Sequence, residues 1–226
     1  MGEQRINKRT PRTWSTTESV RTHFLDAARK VFAARGFADA SVAEVVETAG
    51  GSVGSLYHHF GSKSDLFFAL WERHHLEQQA VAAAAIAKAR AAGTTDPFDQ
   101  FLAGARAYLG ATWSRRDLVR IFTLGDTPPG FQEQLSDVGR VWVTSNLRLL
   151  RVEDEPVQRA LVFLVTSFLG EARREIANTR NAKEARTLAA AMCEVLDRMR
   201  PILAPVSADC SRERAPCASC CGPSGS

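Results

Sequence analysis

The segment from Ser41 to Lys63 limits the fold more than any other part of this chain, because it holds three helix starts in little more than twenty residues. Ser41 and Glu44 form a capping-box pattern, in which each side chain satisfies a free backbone N–H at a helix start. Gly50-Gly51 predicts the end of that helix and a sharp turn, since glycine accepts the positive φ that a helix end requires. Between cap and turn, one helical face carries the apolar residues Val42, Val45, Val46 and Ala49.

A second short helix follows the turn. Ser52 is a cap residue, Leu56 and Phe60 fall one turn apart on an inward face, and the other side chains of this helix are mostly small or polar. A third helix start lies at Ser62–Asp65. Two short helices joined by a glycine turn, with a small hydrogen-bonding outer face on the second, indicate a helix-turn-helix. A three-helix packing module with a solvated middle helix fits the same pattern.

The stretch GGSVGSLYHHFGSKSDLFFAL resembles the recognition-helix signature of the TetR family of transcriptional regulators, Gly-x-Ser-x-Gly-Ser/Thr-Leu-Tyr-x-His/Tyr-Phe-x-x-Lys-x-x-Leu. The resemblance covers about residues 18–72, and beyond them it extends only to length and helical character. Gly51 departs from the family, which usually has an apolar residue there, and so does Val53, where a polar or basic residue is common. The departures bear on base reading more than on the fold.

The resemblance implies a set of DNA contacts. Ser41 corresponds to a phosphate contact, Lys63 to the phosphate-binding lysine, and Val53 to a base-facing position where it offers only a methyl contact to thymine. The positions that correspond to the family's DNA contacts are Ser41, Ser52, Val53, Gly54, Ser55, Tyr57, His58 and Lys63.

Positive charge is concentrated at the N-terminus. The net charge is only +4, yet residues 1–35 hold eight basic against three acidic side chains, which favours contact with phosphates. The residues that would reach the adjacent minor groove as an arm are Arg5, Lys8, Arg9 and Arg12. For residues 1–14 alone, a solvated disordered leader fits equally well.

The pattern of the whole chain predicts an all-α fold, and the resemblance implies an N-terminal three-helix helix-turn-helix head and a C-terminal helical ligand-binding and dimerisation body. No alternating strand pattern of useful length occurs. The expected divisions are a basic flexible arm at 1–14, a helix-turn-helix DNA-binding domain at 15–66, a helical ligand-binding and dimerisation domain at 67–205 and a disordered cysteine-containing tail at 206–226.

Helix boundaries follow from caps and breakers. The first helix is expected to begin at the capping box Ser15–Glu18 and to end at Arg35-Gly36. Later helices are expected to begin at Asp96-Pro97, at Thr127-Pro128 and near residue 156, and the last is expected at about 182–203.

The run from Ala160 to Leu169 is apolar nearly all round, so this helix needs cover on several sides. Self-association explains that cover, with the helices at 156–177 and 182–203 pairing with their copies as a four-helix bundle; a wholly intramolecular core is the alternative. In the TetR family these helices form the dimer, whose two heads would meet an inverted-repeat operator. The expected interface residues are Leu161, Val165, Phe168, Leu188, Met192, Val195 and Met199.

The resemblance also implies a ligand cavity among the helices between 97 and 177. The aromatic residues of this region suit an apolar or aromatic small molecule, although aromatic residues at helical spacing also build ordinary cores. The candidate ligand contacts are Phe101, Tyr108, Trp113, Phe122, Phe131, Trp142 and Phe163.

Other functional classes find little support. The chain shows neither a glycine-rich phosphate loop nor HExxH, so neither an enzyme nor a cofactor is expected, and adjacent His74-His75 make a poor metal pair. Four cysteines crowd the tail, where Cys-x2-Cys-Cys has some metal-ligand character; a mobile tail without metal is the expectation. With neither a signal peptide nor a membrane span, a cytoplasmic protein is expected.

Together these features predict a homodimeric TetR-like regulator, expected to be a repressor, with double-stranded operator DNA and a small-molecule effector as partners. The alternative is a helix-turn-helix relative that acts as a protein-binding or non-specific DNA-binding dimer.

Overall fold

A computed structural model of the chain describes residues 12–203. These residues form helices without a strand, which confirms the predicted all-α class. Residues 1–11, which hold most of the expected basic arm, and the tail cysteines Cys210, Cys217, Cys220 and Cys221 lie outside the described residues. The helices are α1 Arg12–Asp39, α2 Val42–Ala49, α3 Val53–Phe60, α4 Lys63–Ala91, α5 Pro97–Gly110, α6 Arg116–Thr123, α7 Phe131–Leu150, α8 Pro156–Asn178 and α9 Ala182–Arg198, with 3₁₀ turns at Trp113–Arg115 and Arg200–Leu203.

The predicted caps of the head are confirmed. The Ser41 hydroxyl accepts a hydrogen bond from the Glu44 backbone N–H at 3.1 Å, and the Glu44 carboxylate accepts one from the Ser41 N–H at 3.0 Å. Gly50 ends α2 in the left-handed region, at φ 67°. Ser52 caps α3 and Ser62 caps α4. The short helices therefore begin and end where the local hydrogen-bond signals indicate.

Two predicted helix starts are wrong. The first helix is already running at Ser15, because α1 begins at Arg12. Its predicted end is better supported, since Gly36 (φ 78°, ψ 176°) interrupts the helix before a last short stretch to Asp39. Helix α7 begins at Phe131 rather than at Thr127-Pro128, because Gly130 takes a left-handed conformation at φ 84° and a turn closes from the Phe131 N–H to the Pro128 carbonyl.

Two cores stabilise the chain. The first joins α1, α2, α3 and the start of α4 to residues of α6 and the start of α7, among them Phe122 and Phe131. The second joins α5, α7, α8 and α9. Helix α6 thus packs with the head, although it follows α5 of the body in sequence. Within residues 12–203, no helix has the length and apolarity that a membrane crossing requires.

Helix α8 is less covered than its sequence suggests. Val162, Val165 and Leu169 are buried on its inner side, whereas Phe163 and Leu164 are 59% and 51% exposed in the single protomer. The rest of the protomer therefore covers residues 160–169 on one side only, whereas their apolar sequence predicts cover on several sides.

Candidate DNA-binding surface and ligand cavity

Helix α3 presents a small, exposed outer face. Leu56 and Phe60 anchor it in the head core, and Gly54 lies on the exposed side, where an added Cβ would contact no other part of the described chain within 4 Å beyond its neighbours in α3. Tyr57 is 47% exposed. The predicted DNA-contacting residues that this surface exposes are Ser52, Val53, Gly54, Tyr57 and His58, with Ser55 half-buried beside them.

Two of the three predicted serine contacts, Ser41 and Ser52, already serve as helix caps. The Ser41 hydroxyl accepts from the Glu44 N–H and donates to the Glu44 carboxylate at 3.0 Å. Ser52 accepts from the Ser55 N–H at 3.2 Å. A phosphate at Ser41 would therefore compete with the Glu44 carboxylate, whose pKa is lowered chiefly by its hydrogen bond from the Ser41 backbone.

Lys63 has an internal role in place of the predicted phosphate contact. Its ammonium group donates to the carbonyls of Phe37, Ala38 and Ala40 at 2.8, 3.1 and 2.9 Å. The same group lies 4.6 Å from the centroid of the Phe37 ring. Because an ammonium has three N–H donors, these bonds engage all of them. Lys63 therefore ties α4 to the end of α1 and has no free donor for DNA.

Gly51 is explained by the ring of Phe24. A Cβ at Gly51 would lie 2.7 Å from Cζ and 2.9 Å from Cε1 of that ring. The ring is buried and packs near His59 and, edge-on, against Phe60, with centroid distances of 6.3 Å in both pairs. In this chain Phe24 fills the volume that an apolar side chain at position 51 would take.

A cavity of about 260 Å³ lies among α4, α5, α6, α7 and α8. Four of the seven predicted ligand residues line it: Phe101, Tyr108, Phe122 and Trp142. The other three do not. Phe131 is fully buried in the first core and Trp113 packs against the second, while Phe163 points out of the protomer on the exposed side of α8. Their helical spacing was compatible with the core and surface positions that they occupy.

The cavity also has polar walls that the sequence prediction missed. His74 and Gln78 of α4 are 3% and 1% exposed, and none of their side-chain nitrogen and oxygen atoms has a hydrogen-bond partner among the described residues. Arg173 of α8 lines the same space, and its Nε also lacks a partner there. The available signal was spacing on α4, since Trp71, His74, Gln78 and Ala82 recur at intervals of three and four.

Both cavity histidines are held neutral. Burial lowers the pKa of His74 to about 3, and the charge of Arg173 lowers it further than that of any other neighbour, followed by Arg115, Arg29 and His75. Burial and then Arg173 lower the pKa of His75 as well. The ring of His75 stacks on Trp71 at a centroid distance of 5.2 Å. At neutral pH each imidazole therefore offers one donor and one acceptor.

Helix α6 connects the cavity with the head. Its first turn is held to α1 by a two-pronged ion pair, in which Arg29 Nε and Nη2 donate to the Asp117 carboxylate at 2.6 and 2.8 Å. Burial raises the pKa of Asp117, but the hydrogen bond and charge of Arg29 outweigh it, so the pKa lies below its ordinary value. Near its end, Phe122 lies 5.3 Å from Phe67 of the head core and 5.6 Å from His74 of the cavity, between ring centroids.

Comparison with known proteins identifies the head. A sequence profile described as bacterial regulatory proteins, tetR family, matches residues 24–70, which lie within α1 to α4. The head of this chain therefore matches the TetR family. The resemblance predicted from the recognition-helix signature is thereby confirmed.

The curated relatives match only a short stretch of this chain. The HTH-type transcriptional regulator AcrR of Shigella flexneri is 38% identical over 61 residues, which are 27% of this chain and 28% of that protein. The HTH-type transcriptional repressor AcnR of Corynebacterium glutamicum is 44% identical over 50 residues, 22% of this chain and 27% of that protein. The chain thus spans about a quarter of the length of the curated relatives that it matches.

The likeness in fold extends through the body. NalD of Pseudomonas aeruginosa, described as the secondary repressor of the MexAB-OprM multidrug efflux pump, superposes with a TM-score of 0.65 over 81% of this chain and 96% of that chain. The two sequences are only 16% identical, so the similarity concerns the fold. The TetR-family architecture of a helix-turn-helix head joined to a helical body therefore holds for this chain.

Proposed function

We propose that this chain is a homodimeric TetR-like transcriptional repressor, which binds an inverted-repeat operator and is released from it by a small apolar or aromatic ligand. The observation that carries this proposal is the outer face of α3. Gly54 and Ser55 allow the backbone to come close to a groove wall, Val53 fits a thymine methyl, and Tyr57 and His58 extend to where phosphates would lie. The names of AcrR and AcnR as transcriptional regulator and repressor support the same reading of the head.

The proposed dimer uses apolar rows on α8 and α9, two helices that pack against each other within the protomer. Val157, Leu164 and Val195 in these rows are exposed, and the other members are half-buried. The rows recur at intervals of four, three and four residues, the spacing of one helical face. They consist of Val157, Leu161, Leu164 and Phe168 on α8 and of Leu188, Met192, Val195 and Met199 on α9. Val165, expected at the interface, is buried inside the protomer at 1% exposure and cannot contact a partner.

Two such protomers would present two α3 helices related by a twofold axis. Helix-turn-helix dimers of this kind read half-sites about one helical turn of DNA apart, roughly 34 Å. Release of the operator then requires only a change in the separation or tilt of the heads. We propose that the ligand binds better to a body arrangement whose heads do not fit the operator, so that binding shifts the population toward it.

The proposal is tested by a gel shift at fixed salt with the DNA upstream of the gene that encodes this chain. We expect saturable, sequence-specific retardation. Tyr57→Ala should weaken it about tenfold, which corresponds to roughly 1.4 kcal/mol, because the exposed ring is assigned to the groove. Since no buried contact is removed, the melting temperature should not change.

Val141→Ala is the matched control, since Val141 is an exposed apolar residue on α7 of the body. Its variant should bind the DNA as the natural chain does. Retardation that is only non-specific and lost on adding salt would instead support a protein-binding or non-specific DNA-binding dimer. A Tyr57→Ala variant that unfolds would show that Tyr57 is structural.

A further inference from the structure

The cavity joins an aromatic wall to a cluster of unpartnered polar groups. His74 and Gln78 are almost completely buried and line the cavity. In native proteins nearly every buried side-chain polar atom has a hydrogen-bond partner. Both ring nitrogens of His74, both amide atoms of Gln78 and Nε of Arg173 have none among the described residues. Five orphaned atoms that border one cavity indicate a molecule that would pair with them.

The charge of the lining decides what kind of polar group that molecule has. Among the described residues that line the cavity, Arg173 alone carries a permanent charge and none is an aspartate or a glutamate. No carboxylate of the described residues forms a salt bridge with Arg173, whose guanidinium lies over the Tyr108 ring at 5.7 Å. The two lining histidines are neutral at neutral pH, because burial lowers their pKa values. The cavity thus holds one cation without its counter-ion.

The remaining walls limit the size and shape of the ligand. Trp71, Phe101, Phe122 and Trp142 provide ring surfaces, which suit an aromatic body. The volume of about 260 Å³ falls just below the range of roughly 300–1,000 Å³ that holds drug-sized ligands. One or two fused rings fit this volume, and a long acyl chain does not.

We propose that the effector is a small aromatic carboxylate, whose rings lie among the tryptophans and phenylalanines while its carboxylate pairs with Arg173 and accepts from Gln78 and His74. Arginine suits this role because its planar fork matches the two oxygens of a carboxylate. The orphaned donors explain the preference for an acceptor group, and the unpaired guanidinium explains the preference for a negative one. The inference rests on the proposed function, in which this cavity is the effector site.

The test uses three probes with one ring system, which are 2-naphthoate, 2-naphthamide and 2-naphthylmethylamine. Calorimetry on the full-length chain without DNA measures their affinities. We expect 2-naphthoate to bind at least about tenfold more tightly than the neutral amide, and the amine, a cation at neutral pH, to bind more weakly than both. The inference would be overturned if 2-naphthoate showed no binding at concentrations up to about 1 mM, since a Kd of about 1 mM corresponds to a binding free energy of only about −4 kcal/mol. Equal affinities for the acid and the amide would overturn it as well.

Variants separate the charge from the rings. Arg173→Gln should abolish the preference for 2-naphthoate and leave the affinity for 2-naphthamide nearly unchanged. Its matched control is Arg174→Gln, because the neighbouring Arg174 pairs with Glu171 at 2.6 Å and does not line the cavity. If Arg173→Gln fails to fold, Gln78→Leu gives the second measurement, with a weaker affinity for 2-naphthoate expected. A preference for the acid that survives Arg173→Gln, or an unchanged affinity for 2-naphthoate in Gln78→Leu, would contradict the assignment.

The proposed function is tested separately by adding 2-naphthoate to the operator complex. Tight binding of the acid in calorimetry without release of DNA would leave the inference intact and count against the proposed release mechanism. Sequence-specific operator binding with no binding of any probe would support the proposed DNA binding and contradict the inference about the effector. The two failures are therefore distinguishable.

Discussion

Replacing Gly51 with alanine should destabilise the head through a single contact. The new Cβ would stand 2.7 Å from Cζ of Phe24, far closer than the roughly 3.5–4.0 Å at which carbon atoms attract. The ring is 1% exposed and packs edge-on against Phe60 of α3. It therefore cannot move away without disturbing the helix that presents the proposed DNA-binding face.

The magnitude follows from the overlap. Overpacking a well-filled core typically costs about 1–3 kcal/mol. For a chain of this length, each kcal/mol lowers the melting temperature by roughly 2–4 °C. Gly51→Ala should therefore lower the melting temperature by roughly 2–12 °C. In the double variant Phe24→Leu/Gly51→Ala, the smaller leucine leaves room for the methyl group, so the loss should be less than the sum of the single losses by about 0.5–3 kcal/mol.

Urea unfolding of the four proteins measures this double-mutant cycle, with thermal melting as a second observable. Gly54→Ala is the matched control, because a Cβ at Gly54 would contact no described residue within 4 Å beyond its neighbours in α3. Inside α3, alanine is favoured over glycine by about 0.8–1.0 kcal/mol, so the control should be at least as stable as the natural chain. Unchanged stability of Gly51→Ala, or strictly additive losses in the double variant, would refute the assignment of the Phe24 ring as the constraint.

Two further predictions concern the body. Leu164→Arg should sediment as a single protomer at concentrations where the natural chain is dimeric, because Leu164 is 51% exposed on the proposed interface. The control Val141→Arg should stay dimeric. A Leu164→Arg variant that stays dimeric would contradict the proposed interface. The pKa of His74 is about 3 in the folded chain against an ordinary value of 6.5, so the unfolded chain takes up its proton first and stability falls as the pH drops below about 6.5. The expected loss is about 2 kcal/mol by pH 5 in urea unfolding; a His74→Leu variant should lose correspondingly less on acidification, and a loss as large as that of the natural chain would contradict this origin.

The sequence was most informative where a structure is decided within a few residues. The starts of α2, α3 and α4 were predictable because Ser41, Ser52 and Ser62 bond to backbone N–H groups only three residues ahead. Gly50 marked the end of α2 for the same local reason. The capping-box pattern at Ser15 failed since a cap pattern does not prevent a helix from starting earlier.

Contacts between distant segments were not predictable from the same signals. Lys63 matches the position of a phosphate-binding lysine, but its orientation depends on the carbonyls that the end of α1 presents more than twenty residues earlier. The polar side of the cavity combines His74 and Gln78 of α4 with Arg173, about a hundred residues later. Spacing on α4 could have shown that the first two share a face, but nothing in the sequence brings α8 to them.

The contacts of helix α6 have interaction energies large enough to couple binding of the proposed ligand to binding of the proposed operator. The two can oppose each other only if they favour different positions of an element that both sites contact, and Phe122 lines the cavity while packing on Phe67 of the head. An aromatic pair contributes about 0.5–1.5 kcal/mol and a partly exposed ion pair such as Arg29–Asp117 at most about 1 kcal/mol. Together the two contacts supply nearly the free energy that a ten- to hundredfold change in operator affinity requires, which is roughly 1.4–2.7 kcal/mol. A ligand that fills only the end of the cavity remote from Phe122 would displace neither contact, so on this mechanism it would bind without releasing DNA.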